Sequence, residues 1–458
     1  MSRTKYQWGY EVDDPVLNHP ILQIQADHKQ LGQVSYVLPQ AKHSRFNHFG
    51  FAKYIADRIC NDLEKRENLP GSRKNIVQFT KIHDMGHPPF SHAVEYVLRD
   101  ITGIDHNKRA LMLLESNIKD NHKLDGRTLK DVLEYSGACV DFLKEMFEGK
   151  RKEAKICSDK SIGADKIAYT LMDADICDFY QSPPDWEALL PYLTFIDDYG
   201  IDIRKSPKQL IDPTAILTAM QYFYFKMYTE VYLSPESMAY ERHLQKAVEL
   251  AIRAEVLSPD EIWDLGDDTL LNRISNGNHS NEQKNHLAQE AQEVLRGLTL
   301  RNPYVSVLAF KYAGIKKERV RGQRVEEIEK KFKEDFLKTF QNPLRLTELE
   351  ASISDDLKGI PVLCCLLPDP EKVVPSDVPL YEAGRKVTTL KVENKKHYSA
   401  LEEMADDHFA IRLRVPPSEA DLVSRQPEKL GSSFLEHSAK IISRSKKAEE
   451  LESKLVAK

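Results

Sequence analysis

The sequence predicts a mainly α fold, a large helical body with a small C-terminal α+β lobe, and three observations carry that expectation. Apolar residues recur at helical spacing from about residue 46 to 255. Caps and helix stops punctuate the same stretch, and after about residue 345 short β-type runs separated by turn residues take over. With 458 residues, 41 % hydrophobic and 30 % charged, the chain can bury a sizeable core, which excludes a disordered or fibrous protein.

The elements follow in order. Phe51, Ile55, Ile59 and Leu63 recur every fourth residue, opposite Lys53, Asp57 and Arg58, and so make an amphipathic helix. The apolar run Ile76 to Met85 stops at Gly86 and Pro88-Pro89, and Ser91 is positioned to cap a following helix through Ala93, Val94, Val97 and Leu98. Helices are expected near 107–118, 128–148 and 162–179. Asp212-Pro213 and Ser234-Pro235 then open helices over 214–232 and 236–255. Beyond them, Gly359 to Leu363, Lys386 to Val392 and Phe409 to Val415 read as strands, with a proline-rich connection from Pro368 to Pro379. The expected division is a helical body over 1–345 with its core at about 30–255, an α+β lobe over 346–425 and a charged helical tail over 426–458. The mixed-charge segment 315–336 reads as a solvated helix face, with a partner or effector contact as the minority reading.

Sixty-five Lys+Arg against 71 Asp+Glu give a formal charge of −6, so long nucleic acid and anionic membranes are not expected partners. An anionic substrate must therefore be met by local cations or a metal. No run of 18 apolar residues and no apolar stretch at the amino terminus occur, which predicts a soluble, cytoplasmic chain. The six cysteines have no C-x-x-C spacing, so buried, reduced thiols are expected rather than a zinc ribbon.

Histidines and acids are dense between Gln30 and Asp173. His83-Asp84 stands at a helix end where both side chains can turn toward one point, and a mixed N/O donor pair suits a hard or borderline divalent ion such as Mn, Mg, Fe, Co or Ni. His48 is free to project from a first helical turn. Asp165, Tyr169 and Asp173, at i, i+4 and i+8, form a polar face on a helix whose Ile167 and Leu171 supply the packing face, and Lys166 borders that acidic stripe. His43 and His122 read as surface residues.

Taken together, Lys29-Gln30-Leu31-Gly32, Tyr36-Val37-Leu38-Pro39, Arg45-Phe46-Asn47-His48, the block His83-Asp84-Met85-Gly86-His87-Pro88-Pro89-Phe90-Ser91-His92, and Asp165-Lys166-Ile167-Ala168-Tyr169 resemble the HD-domain deoxynucleoside triphosphate triphosphohydrolases. That family includes bacterial dGTPases and a vertebrate enzyme joining a sterile alpha motif to an HD domain. The resemblance spans roughly residues 15–255, and a sterile alpha motif is not expected ahead of it.

The resemblance implies that His48, His83, Asp84 and Asp165 hold a divalent metal and that Arg45 and Lys166 hold phosphates. It makes His92 the acid that protonates the departing 5′ oxygen, oriented by Glu95 where the family commonly has Asp. His87 and His106 would line the α-phosphate pocket, with orienting a ligand-contacting group or a plain structural role equally open to them. Gln30 and Asp173 would meet the sugar 3′ hydroxyl, with Leu31 beside them. Tyr169 and Tyr240 would pack on the deoxyribose, and for Tyr240 a plain core position is an equal reading. The expected activity is metal-dependent hydrolysis of deoxynucleoside triphosphates to deoxynucleoside and inorganic triphosphate. A nucleotide effector and a homo-oligomer are implied with it. The alternatives are an HD-type phosphodiesterase or nuclease on other nucleotides, or a nucleotide-sensing scaffold with weak turnover.

Overall fold

A computed structural model describes residues 14–115, 122–203, 212–315, 324–367 and 373–456. The helix Arg45–Lys65 buries Phe51, Ile55, Ile59 and Leu63, the stripe read from the sequence. It packs against Arg73–Ile82 and Ala164–Ile176, so the three helices that carry the HD-type residues share one core with Ile76, Ile167 and Leu171. Pro235–Arg253 lies against His92–Thr102 and Glu282–Thr299 and closes a second core through Leu244, Val248 and Leu295.

Several boundaries differ from the sequence reading. The expected 128–148 helix is two, Leu129–Tyr135 and Val140–Phe147, because Gly137 at φ +75° breaks the helix between them. The expected 107–118 helix is His106–Leu114, and 116–121 lie outside the described residues. The helix Pro213–Met227 continues through Tyr228–Tyr232 as a π-helical turn. Ser91 does not cap: it sits at φ +56° with no side-chain bond to the helix, and its hydroxyl is held by Arg45 instead.

The strands form two four-stranded sheets. In one, β3 (Val305–Lys311) pairs parallel with β4 (Arg324–Glu327) and antiparallel with β8 (Ile411–Val415), which pairs antiparallel with β5 (Leu363–Leu366). In the other, β1 (Leu193–Phe195) pairs antiparallel with β2 (Tyr199–Asp202), which runs parallel to β6 (Pro379–Glu382), and β6 pairs antiparallel with β7 (Arg385–Thr389). Both sheets thus join residues on either side of position 345. The expected strand at 359–363 falls at β5 instead, and the one at 386–392 ends at Thr389, where the helical turn Leu390–Glu393 begins. In the mixed-charge segment, 316–323 lie outside the described residues, and the helix Lys330–Phe340 buries Phe336, Leu337 and Phe340, so it is amphipathic rather than wholly solvated. The tail is the helix Pro427–Val456. Among the described residues no helix is long and apolar enough to cross a membrane.

Candidate metal centre and catalytic cavity

Four side chains from distant parts of the chain meet at one point. His48 projects from the first turn of the 45–65 helix, whose start is fixed by a capping box in which Ser44 and Asn47 exchange side-chain to backbone hydrogen bonds. His83 and Asp84 follow the end of the 73–82 helix, and Asp165 sits in the first turn of the 164–176 helix. One donor atom from each lies within 4.8 Å of the other three. Asp165 Oδ1 is 2.9 Å from His48 Nε2 and 3.2 Å from His83 Nε2, and His83 Nε2 is 3.5 Å from Asp84 Oδ1.

These donors fit a divalent cation. His83 Nδ1 donates to the Thr80 carbonyl at 2.8 Å, which turns Nε2 toward the carboxylates. Both ring nitrogens of His48 are buried without a hydrogen bond, although an Asp165 oxygen is 2.9 Å away. A close approach at an angle no hydrogen bond uses suits two ligands of one cation better than a donor and an acceptor. Burial opposes charge on His83, yet Asp84 and Asp165 raise it to about 9, so the pocket draws positive charge. Burial likewise opposes ionisation of the acids, but His83 and Arg45 hold Asp84, and the neighbouring His48 and His83 rings hold Asp165, well below the usual carboxylate range.

A second cluster is centred on Glu95. His92 Nδ1 is 2.9 Å from Glu95 Oε2, and the ring Nδ1 and backbone N–H of His106 are 2.8 and 3.1 Å from Oε1. His87 stacks on His106 with ring centroids 4.2 Å apart and joins the two clusters: its Nδ1 is 3.5 Å from Glu95 Oε2 and its Nε2 is 3.6 Å from Asp84 Oδ1. Against the opposing effect of burial, the His106 and His92 hydrogen bonds hold the Glu95 carboxyl far below its ordinary range, so it can only accept, and Nδ1 of His92 carries a proton. Burial and the Arg45 charge hold His87 low and neutral, while Glu95 raises His106 against burial. The close approach depends on Gly86, where a Cβ would fall 2.1 Å from the His106 carbonyl oxygen.

Asp84 and Asp165 of the first cluster and His87, His92 and His106 of the second line one cavity of about 620 Å³, together with Gln30, Leu31, Arg45, Tyr169 and Asp173. Arg45 is held at 2.5 Å from Asp84 Oδ2 and 2.7 Å from Ser91 Oγ. Among the expected substrate contacts, two do not reach this cavity. Lys166 follows Asp165 by one residue, about 100° round the helix, and its ammonium lies 3.5 Å from the centroid of the Tyr224 ring, near Tyr169 and Tyr228; burial lowers it to about 7. Tyr240 is a core aromatic that stacks on Tyr36 at 5.8 Å, and the next residue, Glu241, takes the cavity-facing position.

Other residues around the site were not legible as such. His43, expected at the surface, is 5 % exposed at its side chain and reaches Asp173 Oδ1 at 2.7 Å, while Tyr232 donates to Oδ2 at 2.8 Å. His122 is also mostly buried, at 12 % exposure, but neither histidine joins the metal cluster. The position of His43 two residues before Arg45-Phe46-Asn47-His48 was an available signal. For Tyr228 and Tyr232 there was none, because the π-helical turn that carries them to the cavity leaves no periodic trace.

Fold and site define a mainly helical body with a small strand-containing lobe and a cluster of histidines and aspartates that could hold a metal ion. In sequence, 301 residues are 26 % identical to the deoxynucleoside triphosphate triphosphohydrolase SAMHD1 homolog of Dictyostelium discoideum, over 61 % of this chain and 53 % of that one. A 133-residue stretch is 34 % identical to deoxynucleoside triphosphate triphosphohydrolase SAMHD1 of Bos taurus, over 26 % of this chain and 22 % of that one. The chain thus spans about half the length, or less, of these curated relatives. In structure, it is similar to a phosphohydrolase from Bacteroides thetaiotaomicron, at 17 % identity and a TM-score of 0.60 over 88 % of this chain and 94 % of that one. A hypothetical protein from Aquifex aeolicus matches with the same identity and TM-score over 92 % and 94 %. No family model matches the sequence. The chain therefore resembles the HD-domain deoxynucleoside triphosphate triphosphohydrolases in its motifs and in its sequence relatives, and shares its fold with a phosphohydrolase.

Proposed function

We propose that this protein hydrolyses deoxynucleoside triphosphates at the α-phosphorus, releasing deoxynucleoside and inorganic triphosphate. The observation that carries the reading is the junction of two clusters on one cavity wall, His87 Nε2 being 3.6 Å from Asp84 Oδ1: one set of donors suits a divalent cation, and the other suits delivery of a proton. When bound by His48, His83, Asp84 and Asp165, that cation would withdraw charge from the phosphoryl group and make an attacking water more acidic.

The chain's own residues supply the rest. Arg45 stabilises charge on a non-bridging oxygen. His92, with Nδ1 anchored on Glu95 and its ring half exposed, gives a proton to the 5′ oxygen as the bond to phosphorus breaks. His87 and His106 keep Glu95 in place. Asp173, both oxygens fixed by His43 and Tyr232, meets the sugar hydroxyl with Gln30 and Leu31, and Tyr169 packs on the sugar. A homo-oligomer and a nucleotide effector, which the resemblance implies, complete the reading.

Purified protein incubated with each dNTP and Mn or Mg, with and without a second nucleotide, should yield deoxynucleoside and triphosphate. Monophosphate plus pyrophosphate, or no turnover in any metal, would refute the reading. Asp165→Ala should lose both metal content and turnover, and retention of either would remove Asp165 from the ligand set.

A further inference from the structure

Asp267 opens the helix Asp267–Ser275, outside every motif discussed so far, and its carboxyl is 1 % exposed. Each of its oxygens accepts one backbone N–H from a different segment: Oδ1 from Phe90 at 2.8 Å and Oδ2 from Lys29 at 3.0 Å. Its own N–H donates to the Asp27 carbonyl, and the preceding Leu265 carbonyl is 2.7 Å from His28 Nε2.

The two segments it ties both lead into the cavity lining. Lys29 precedes Gln30 and Leu31. Phe90 and Ser91, at φ +54° and +56°, are consecutive non-glycine residues in the left-handed region, and they deliver the chain into His92. Such a backbone persists only when its surroundings over-determine it. Here three contacts do so. Asp267 holds the Phe90 N–H, Arg45 holds the Ser91 hydroxyl, and the backbone of Gly32 lies so close to the Phe90 carbonyl that a Cβ there would fall 3.1 Å from its oxygen. Of these three, Asp267 alone grips both segments through one side chain.

We propose that Asp267 is a positioning residue that clamps the strained 90–91 turn to the 29–31 loop, and so sets the direction from which His92 reaches the leaving oxygen. This rests on His92 acting as the acid in the function proposed above.

The test is a double-mutant cycle with Asp267→Asn and His92→Ala, measured as steady-state hydrolysis of a dNTP at a temperature where melting curves show every variant folded. Asn keeps the shape but offers one acceptor oxygen for two N–H groups. Asp267→Asn should lower kcat by about 10- to 100-fold, with metal content nearly unchanged and any rise in KM smaller than the loss in kcat. In the His92→Ala background the same substitution should cost less than about twofold, because a group acting through an absent acid has nothing left to position. Multiplicative losses, or a loss confined to KM, would overturn the proposal. Hydrogen exchange by mass spectrometry supplies a readout without turnover: a peptide covering 88–92 should exchange faster in Asp267→Asn while one covering 76–85 does not, and unchanged exchange at 88–92 would also overturn it. Full activity of His92→Ala, by contrast, would strike the acid assignment itself and leave the exchange result standing on its own.

Discussion

Glu241 offers a quantitative test of how the cavity treats charge. Its carboxyl lines the cavity and accepts from Gln33 Nε2 at 3.0 Å and Gln245 Nε2 at 3.1 Å; burial nevertheless raises it from 4.5 to about 7, against the lowering effect of Arg242. An acid raised on folding binds its proton more tightly in the folded state, so its contribution to stability is fully favourable below pH 4.5 and declines as pH rises to about 7. Over that interval, at about 1.4 kcal/mol per pH unit, the change amounts to about 3 kcal/mol; water in the cavity makes this an upper figure. Glu241→Gln keeps the shape and removes the titration. Denaturant unfolding of both proteins at pH 4.5, 6 and 8 should show the variant gaining about 2 to 3 kcal/mol on the native protein between the lowest and highest pH. A stability difference independent of pH would mean that Glu241 is solvated like a surface acid, and the reasoning would fail.

Three further outcomes follow from the packing. Gly86→Ala, which places a methyl against the His106 backbone, should destabilise the protein by about 1 to 3 kcal/mol and lower turnover through displaced His106; an unchanged melting curve would refute the tight approach. Glu350 takes both arms of the buried Arg242 guanidinium, at 2.7 and 2.8 Å, and the Cys364 N–H at 2.8 Å, so Glu350→Ala should cost about 3 to 5 kcal/mol in a denaturant titration; a loss below about 1 kcal/mol would show that Arg242 finds another partner. His43→Ala frees one Asp173 oxygen, so it should raise KM for a deoxynucleotide about tenfold with metal content intact; a fall in kcat alone would assign His43 elsewhere.

By itself the sequence determined the helical body and most of the site, for a local reason. The Phe51, Ile55, Ile59 and Leu63 stripe, the Gly86 and Pro88-Pro89 stop, and the blocks around His48, His83-Asp84, His92 and Asp165 are patterns within a dozen residues, and a helix turns such spacing directly into a face or an end. Tertiary structure alone decided what depends on neighbours far along the chain. Strands of three or four residues such as β1 and β2 carry too little periodicity to read, and β6, their sheet partner, lies nearly 180 residues away. Lys166 and Tyr240 missed the cavity because adjoining positions on one helix face different ways, and only the packed neighbours determine which of Tyr240 and Glu241 looks inward. His43 and Tyr232 matter through one hydrogen bond each and Asp267 through two, across 59 to 238 positions, and such a bond exists only once folding has brought its two ends together.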